Sequence, residues 1–295
     1  MINRRGVALI MTLWVMILLS SIAFQFIYSV RTEINATRNL KEMVKDYYLA
    51  YAGVNLGISE LINRWDFNYI DEYGNMVFRN RGILLEEDKE PPKRDNIPLE
   101  SGLISYEIED EESKININFA PREVIWNLLR ELDVEIEKRD IIADSILDWI
   151  DKNHEHRING AEDDYYESLT NPYEAKDAPF DSINELLLVR GITKEIFDKL
   201  KKYVTVVGSN ININTSSEIV LKSVLGENVA REVIYYRKKN GYFISPNYGG
   251  IVKSHYFTIK SRGKLPNSSI FRGIRVIVRK NGNSINIVYW NDNFI

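Results

Sequence analysis

GVALIMTLWVMILLSSIAFQFIYSV, residues 6–30, contains no charged side chain. Arg4 and Arg5 stand before it and Arg31 after it. As a helix rising about 1.5 Å per residue it is roughly 35–40 Å long, enough to cross a hydrocarbon core of about 30 Å. Beyond Arg31 charged and apolar residues mix as in a water-soluble body. The use made of this greasy stretch decides the plan of everything after it.

Three uses fit the residues. A secretory signal could end at Ser21-Ile22-Ala23, although the apolar run continues through Phe24, Phe26 and Ile27. A plain anchor would be oriented by Arg4 and Arg5 staying in the cytoplasm. The third use starts from RRGVALI, residues 4–10. A short basic leader, a glycine and a long apolar helix resemble a type IV prepilin or pseudopilin leader. That resemblance implies cleavage after Gly6 by a prepilin peptidase, leaving Val7 first. The fifth mature position is then Met11, where most such proteins carry Glu.

The helical pattern continues past the apolar run. Leu40, Val44, Tyr47, Tyr51, Val54, Ile58, Leu61 and Trp65 step by fours and threes, the spacing of one helix face. Lys41, Glu42, Lys45, Asp46, Asn55, Glu60 and Asn63 fall between them and predict a solvated face. With no proline to interrupt it, one helix over residues 7–65 is expected.

After it the pattern breaks. Tyr73-Gly74-Asn75 reads as a turn, and EEDKEPPKR (86–94) as an exposed loop. Residues 103–109 alternate as a strand, and 110–113 as a turn. KININFAPREV (114–124) then returns as NININTSSEIV (210–220), a short strand leading into a helix. Pro121 suits a first helical position, and Thr215 or Ser216 a cap. Apolar residues at helical spacing fill 124–150, 183–200 and 220–234. The tail is different: 257–261, 273–278 and 284–290 read as strands, with Asn281-Gly282 as a hairpin turn. The order is long helix, strands, helical insert, strands.

Composition narrows the chemistry. The chain has no cysteine, so disulfides, Cys-ligated zinc and a Cys nucleophile are excluded. A net charge of -4 argues against wholesale phosphate neutralisation. No Gly-rich phosphate loop, Gly-x-Ser-x-Gly or HExxH occurs, and nothing reads as a catalytic site. The densest polar constellation is DWIDKNHEH (148–156) followed by GAEDDYY (160–166). It is either a solvated acidic loop or a site for a hard cation such as calcium, which takes several oxygen ligands in flexible geometry. Gly160 would allow the turn that returns Glu162 toward Asp151. The spacing is not that of an EF-hand. His154 and His156 on a strand, with Asp151 or Glu162, would be the zinc alternative.

From SILDWID (145–151) onward a further resemblance builds. GAED (160–163), NPY (171–173), APF (178–180), Glu185-Leu186, VRGI (189–192) and ININT (211–215) follow in the order found in the K-type minor pseudopilin of the type II secretion system. The family is typically without the Glu that Met11 replaces. The resemblance implies an α+β fold. Its parts are a long N-terminal transmembrane and amphipathic helix, a pilin-like antiparallel sheet and a large inserted all-α domain, SAM-like or helix-hairpin-helix-like. Expected boundaries are a leader at 1–6, a membrane helix at 7–30 and the first part of the pilin-like body at 31–112. The inserted domain follows at 113–208, a second small helical module at 209–250 and the closing strands at 251–295. Calcium, one or two ions, is implied on the insert, with Asp151, Glu162 and Asp163 as ligands and Asn153 and Asp164 beside them. Implied partners are the I-type and J-type minor pseudopilins, the major pseudopilin and the prepilin peptidase. The implied setting is the inner membrane, single-pass, with a periplasmic globular domain, methylation of the processed chain and no nucleic acid. The implied role is starting the pseudopilus at its tip in support of protein export across the outer membrane.

A filament grows by heterologous contacts that need an upper and a lower face on every subunit. A bulky insert and the missing carboxylate at Met11 both favour the filament end. The main rival is a membrane-anchored helix-hairpin-helix DNA-binding protein of the competence type. It rests on NINT (212–215), Leu225-Gly226 and Gly241-Tyr242-Phe243, but Glu227 puts an acid in the hairpin. A membrane-anchored metallohydrolase is the enzyme reading.

Overall fold

The computed structural model describes residues 4–63, 67–71, 76–79, 93–100, 102–266 and 271–294. One helix, α1 (Arg4–Asn63), runs for 60 residues, as the uninterrupted pattern predicts. Its most apolar window is exposed and has a mean hydropathy of 2.5. Among the described residues it is the one helix long and apolar enough to cross a membrane.

The second half of α1 packs on a sheet through Ala50, Val54 and Leu61. Two glycines set the closeness of that contact. A Cβ at Gly53 would run into Ser261 and Ile104, and one at Gly57 into Ile259. The predicted faces need two corrections. Leu40, Val44 and Tyr51 are exposed and Tyr47 and Ile58 half-buried, so of the predicted seam only Val54 and Leu61 are fully in the core. Asp46 and Glu60, expected in solvent, are buried. Each has tertiary partners that periodicity cannot see. Asp46 accepts from the Leu265 amide at 3.0 Å. Glu60 takes a forked pair from Arg94, at 3.1 and 2.5 Å, and a bond from the Tyr106 hydroxyl at 3.0 Å. Trp65, the turn at 73–75 and most of the 86–94 loop lie outside the described residues.

A small hairpin, β1 (Phe67–Ile70) with β2 (Met76–Arg79), follows α1. Its four-residue strands are too short to give a pattern in the sequence. Next come β3 (Ile97–Leu99) and β4 (Gly102–Asp110), then a 3-10 turn over Glu111–Ser113. The chain closes with β7 (Tyr256–Lys264), β8 (Arg272–Asn281) and β9 (Ser284–Phe294). The five strands form one antiparallel sheet in the order β3-β4-β7-β8-β9. β4 and β7 are neighbours, with Asp110 opposite Phe257, so everything between them is an excursion from the sheet.

That excursion has its own core. It holds β5 (Ile115–Asn116), α2 (Arg122–Glu131), α3 (Ile136–Ile150), α4 (Asp163–Glu167), a 3-10 helix at Ile183–Leu188 and α5 (Lys194–Leu200). β6 (Val204–Thr205), α6 (Glu218–Leu225) and α7 (Glu227–Asn240) complete it. One cluster of buried side chains runs from Ile115 to Phe243, through both the 113–208 and 209–250 stretches. A second cluster belongs to α1 and the sheet. The two bodies meet at Asp110. Its buried carboxylate accepts from Thr215 and Ser254 at 2.6 Å, Asn68 at 2.9 Å and Asn212 at 3.3 Å.

The repeated strand-helix units are structural twins. Asn118 and Asn214 each clamp a distant phenylalanine by both backbone groups. Asn118 receives the Phe180 amide at 2.7 Å and donates to its carbonyl at 3.0 Å. Asn214 does the same to Phe243, at 2.7 and 2.9 Å. Helices α2 and α6 pack against each other. The caps differ from expectation. Pro121 stands just before α2 rather than in it, and Ser217, not Thr215 or Ser216, caps α6 by accepting from Val220.

Candidate functional site

The acidic constellation lies at the end of α3, on the loop that α4 closes. Apolar packing of α3 buries Asp148 completely on its inner face. The Asp148 carboxylate receives the Arg157 amide at 3.1 Å and the Arg157 guanidinium. The same guanidinium reaches Asp151 at 2.6 Å. Burial pushes the Asp148 carboxyl up even against this cation. Gly160 is needed for close approach rather than for its turn, because a Cβ there would collide with the Asp148 carboxylate. Arg190 holds the Gly160 carbonyl at 2.8 Å and lies over the Tyr165 ring at 4.7 Å.

Glu162 is the anomalous group. It is 2 % exposed, and neither carboxylate oxygen has a hydrogen-bond partner. Burial, then the charges of Asp148, Asp151, Asp177 and Asp163, push its carboxyl up to about 7. A buried carboxylate without donors is costly unless a cation meets it. Asp177 adds to the strain. It sits at φ 51 with its Oδ1 buried and unpartnered. His154 stands 3.7 Å from Asp163 and 3.8 Å from Asp177. Among the described residues no three such groups are already gathered at metal-binding distance.

Of the predicted ligands, Asp151 and Asp163 stand near enough for their charges to act on Glu162. Asp163 spends one oxygen on the Ala175 amide at 2.7 Å. Asn153 is exposed and turns its side-chain oxygen to the Glu155 amide, while its amide group donates to Asp151 at 2.6 Å. Asp164 is exposed on the first turn of α4. Asp148, Asp177 and Arg157 were not singled out from sequence. Asp148 carried a signal, being polar on the apolar face of a helix; Asp177 carried none. The paired-histidine zinc geometry needed a strand, and residues 153–156 form none.

At the other end, Gly6 and Val7 lie inside α1, and Met11 is exposed on it. A side chain at Gly6 would meet nothing, so no packing within the chain requires glycine there. The α6–α7 hairpin turns at Gly226 with φ 81. Glu227 follows, paired with Lys222 at 3.5 Å and Arg231 at 3.3 Å, which leaves an acid where phosphate would sit.

A family profile described as type II secretion system (T2SS), protein K, matches residues 108–209. A provisionally named type II secretion system protein K of Escherichia coli strain K12 is 24% identical over 306 aligned positions, spanning 91% of this chain and 90% of the relative. The type II secretion system protein K of Pectobacterium carotovorum subsp. carotovorum is 25% identical over 65% of this chain and 70% of its own length. That of Aeromonas hydrophila is 28% identical over 45% and 50%. A chain of the solved GspK-GspI-GspJ complex from enterotoxigenic Escherichia coli superposes with a TM-score of 0.64. It shares 19% sequence identity and covers 87% of this chain and 98% of its own.

Proposed function

We propose that the chain is a K-type minor pseudopilin of the type II secretion system, and that it begins the pseudopilus and stays at its tip. The carrying observation is the helical excursion between β4 and β7, fixed to the sheet through Asp110. A body of that size on one end of the sheet obstructs the face on which a further subunit would be stacked. Met11 removes the carboxylate that would meet a neighbour's N-terminus within lipid, where polar contacts are scarce. The I-type and J-type minor pseudopilins are the proposed companions, because the solved chain with this fold comes from a complex of GspK with GspI and GspJ. The major pseudopilin would follow below, and export of proteins across the outer membrane would depend on the assembly.

The proposed maturation is cleavage by a prepilin peptidase between Gly6 and Val7. It is supported by a glycine that the fold does not need. The processed helix would remain in the inner membrane with the body in the periplasm. Mass spectrometry of the protein recovered from membranes should find Val7 first. An intact leader, or Phe24 first, would reject this maturation. Met11→Glu together with a shortened insert should let the chain enter the shaft. Exclusive recovery at the fibre end would count against the tip argument.

Calcium at the acidic loop belongs to the same proposal. Glu162, Asp163 and Asp151 would hold it, with Asp177 and Asp148 close by. The fit rests on the two unpartnered Glu162 oxygens and on an all-oxygen donor set. A bound divalent cation would neutralise the mutual repulsion and stiffen the loop. Arg157 does part of that work for Asp148 and Asp151, leaving Glu162 without a counter-charge. Calcium should raise the melting temperature of the purified chain, and a chelator should lower it. A melting temperature indifferent to both would remove the ion from the account.

A further inference from the structure

The two edges of the sheet are built differently. β3, at one edge, is three residues long and contains Pro98, which cannot donate a ladder bond. Both are devices that blunt an edge against pairing. β9, at the other edge, is eleven residues long and carries neither lysine nor arginine nor proline. Among the described residues no strand lies outside it. Ile287, Val288 and Tyr289 form a run of exposed apolar side chains on it. A register shift between the Ile277–Tyr289 and Val278–Ile287 pairs leaves Val288 as a bulge. Val288 and Tyr289 therefore line a cleft of about 1070 Å³ under the helical excursion.

The charges in that cleft do not balance beside β9. Across the sheet Glu107, Lys260, Arg275 and Asn291 stand opposite one another in turn. Like charges directly opposite are unfavourable. Lys260 is neutralised by Glu109 on its far side. Among the described residues Arg275 has no carboxylate partner, and its Nε is buried with nothing to donate to. Lys202 also lines the cleft, as do the carboxylates Glu107 and Asp181.

We propose that the free edge of β9 is an interaction surface that takes an extended segment of a partner protein by strand addition, with an acidic side chain of that segment delivered to Arg275. The main-chain ladder would supply the affinity, and alternate side chains in the cleft the selectivity. A carboxylate on a guanidinium gives a paired, charge-assisted contact. The surface is separate from the acidic loop and does not depend on how the filament is ordered.

The test uses the full chain in detergent micelles and a labelled nine-residue peptide alternating Thr and Val with one central Glu. A second peptide has Lys in place of that Glu. Binding is followed by fluorescence anisotropy, and the protected amides by hydrogen exchange. The Glu peptide should protect amides within residues 284–294. Ile287→Lys, at an exposed position, should weaken it tenfold or more. Arg275→Gln should weaken the Glu peptide about tenfold and leave the Lys peptide unchanged. Unchanged melting temperatures in both variants exclude misfolding. Equal loss for the two peptides, or no protection of β9, overturns the proposal. Concentration-dependent protection of β9 without peptide overturns it in favour of a second copy of this chain.

Discussion

The two strand-helix units of the insert share a frame and differ in what it carries. The first begins with the two-residue strand β5 and the second, where a strand was expected, with a single bridge at Asn212; in each the first asparagine accepts from the amide of the second, at 3.0 Å in Asn116–Asn118 and 2.9 Å in Asn212–Asn214. Both run through a pair of helices, followed in the first unit by the short α4, and end at a clamped phenylalanine. An aromatic from the second helix stacks on it, Trp149 on Phe180 and Tyr236 on Phe243. Both then return to a parallel partner, β6 for the first and Ile251 for the second. The clamp spans 62 residues in the first unit and 29 in the second. The excess falls after the second helix. α7 ends at Gly241, with φ 85, and turns at once to Phe243. α3 ends at Asp151 in extended conformation and leads into the acidic loop. One copy of the frame is therefore structural, and the other bears the charge cluster.

The largest test of this comparison is Asp110→Ala. It strands four buried donors that tie the second unit to the sheet. It should cost about 3–5 kcal/mol. In the first unit the Asn116 side chain bonds within the insert, donating to the Gly208 carbonyl at 2.5 Å and accepting from the Asn118 amide at 3.0 Å, and none of the four bonds to Asp110 involves it. Hydrogen exchange should therefore quicken at 211–214 more than at 115–118, and uniform quickening would break the asymmetry.

Next comes the clamp itself. Asn214 is buried whereas Asn118 is half-buried. Asn214→Ala should cost about 3 kcal/mol in denaturant unfolding and Asn118→Ala about half that. The reverse order would mean that the longer unit, not the shorter, holds the insert together.

A smaller effect sharpens the difference at the loop. The folded-state value of Glu162, near 7, lies above its ordinary 4.5. Between those values the folded chain holds a proton that the unfolded chain has released. With chelator present, this group should make stability fall as pH rises from about 4.5 to about 7, and level off above. Glu162→Gln should remove that slope and add about 1 kcal/mol at pH 8 without calcium, while abolishing the response to the ion. A variant as pH-sensitive as the parent would show that another group governs the loop. The helix starts offer the smallest contrast. Ser217→Ala should cost about 0.5–1 kcal/mol, and Pro121→Ser, which adds the side-chain cap that α2 lacks, should gain a few tenths. Thermal melts read both.

Much of the architecture was legible before any coordinate. α1 could be read because apolar continuity and then a regular seam need only local periodicity. The twin units could be read because an alternating NIN strand and a helix start recur as a string. Residues with strong local signals stayed where they were placed, as at the Asn281-Gly282 turn between β8 and β9. The candidate site was legible only in part. Asp151, Glu162 and Asp163 are close in sequence, and the charges of Asp151 and Asp163 act on Glu162. Asp177 reaches them from beyond α4, and Arg157 answers Asp148 rather than opening the loop.

By itself, then, the chain's residue order determined the membrane-length helix, the interruption of a sheet by a helical body and the duplicated frame within that body. Each follows from periodicity or self-similarity over a few tens of residues. Only the tertiary structure decided that Asp46 and Glu60 go inside, that Asp110 joins the two bodies and that Glu162 is left without a donor. It also decided that, among the described residues, the long β9 and the short β3 stand at the two edges of the sheet. The physical reason is that burial of a charge depends on partners far away in sequence. Arg94 for Glu60 and Ser254 for Asp110 are examples, and no local pattern encodes them.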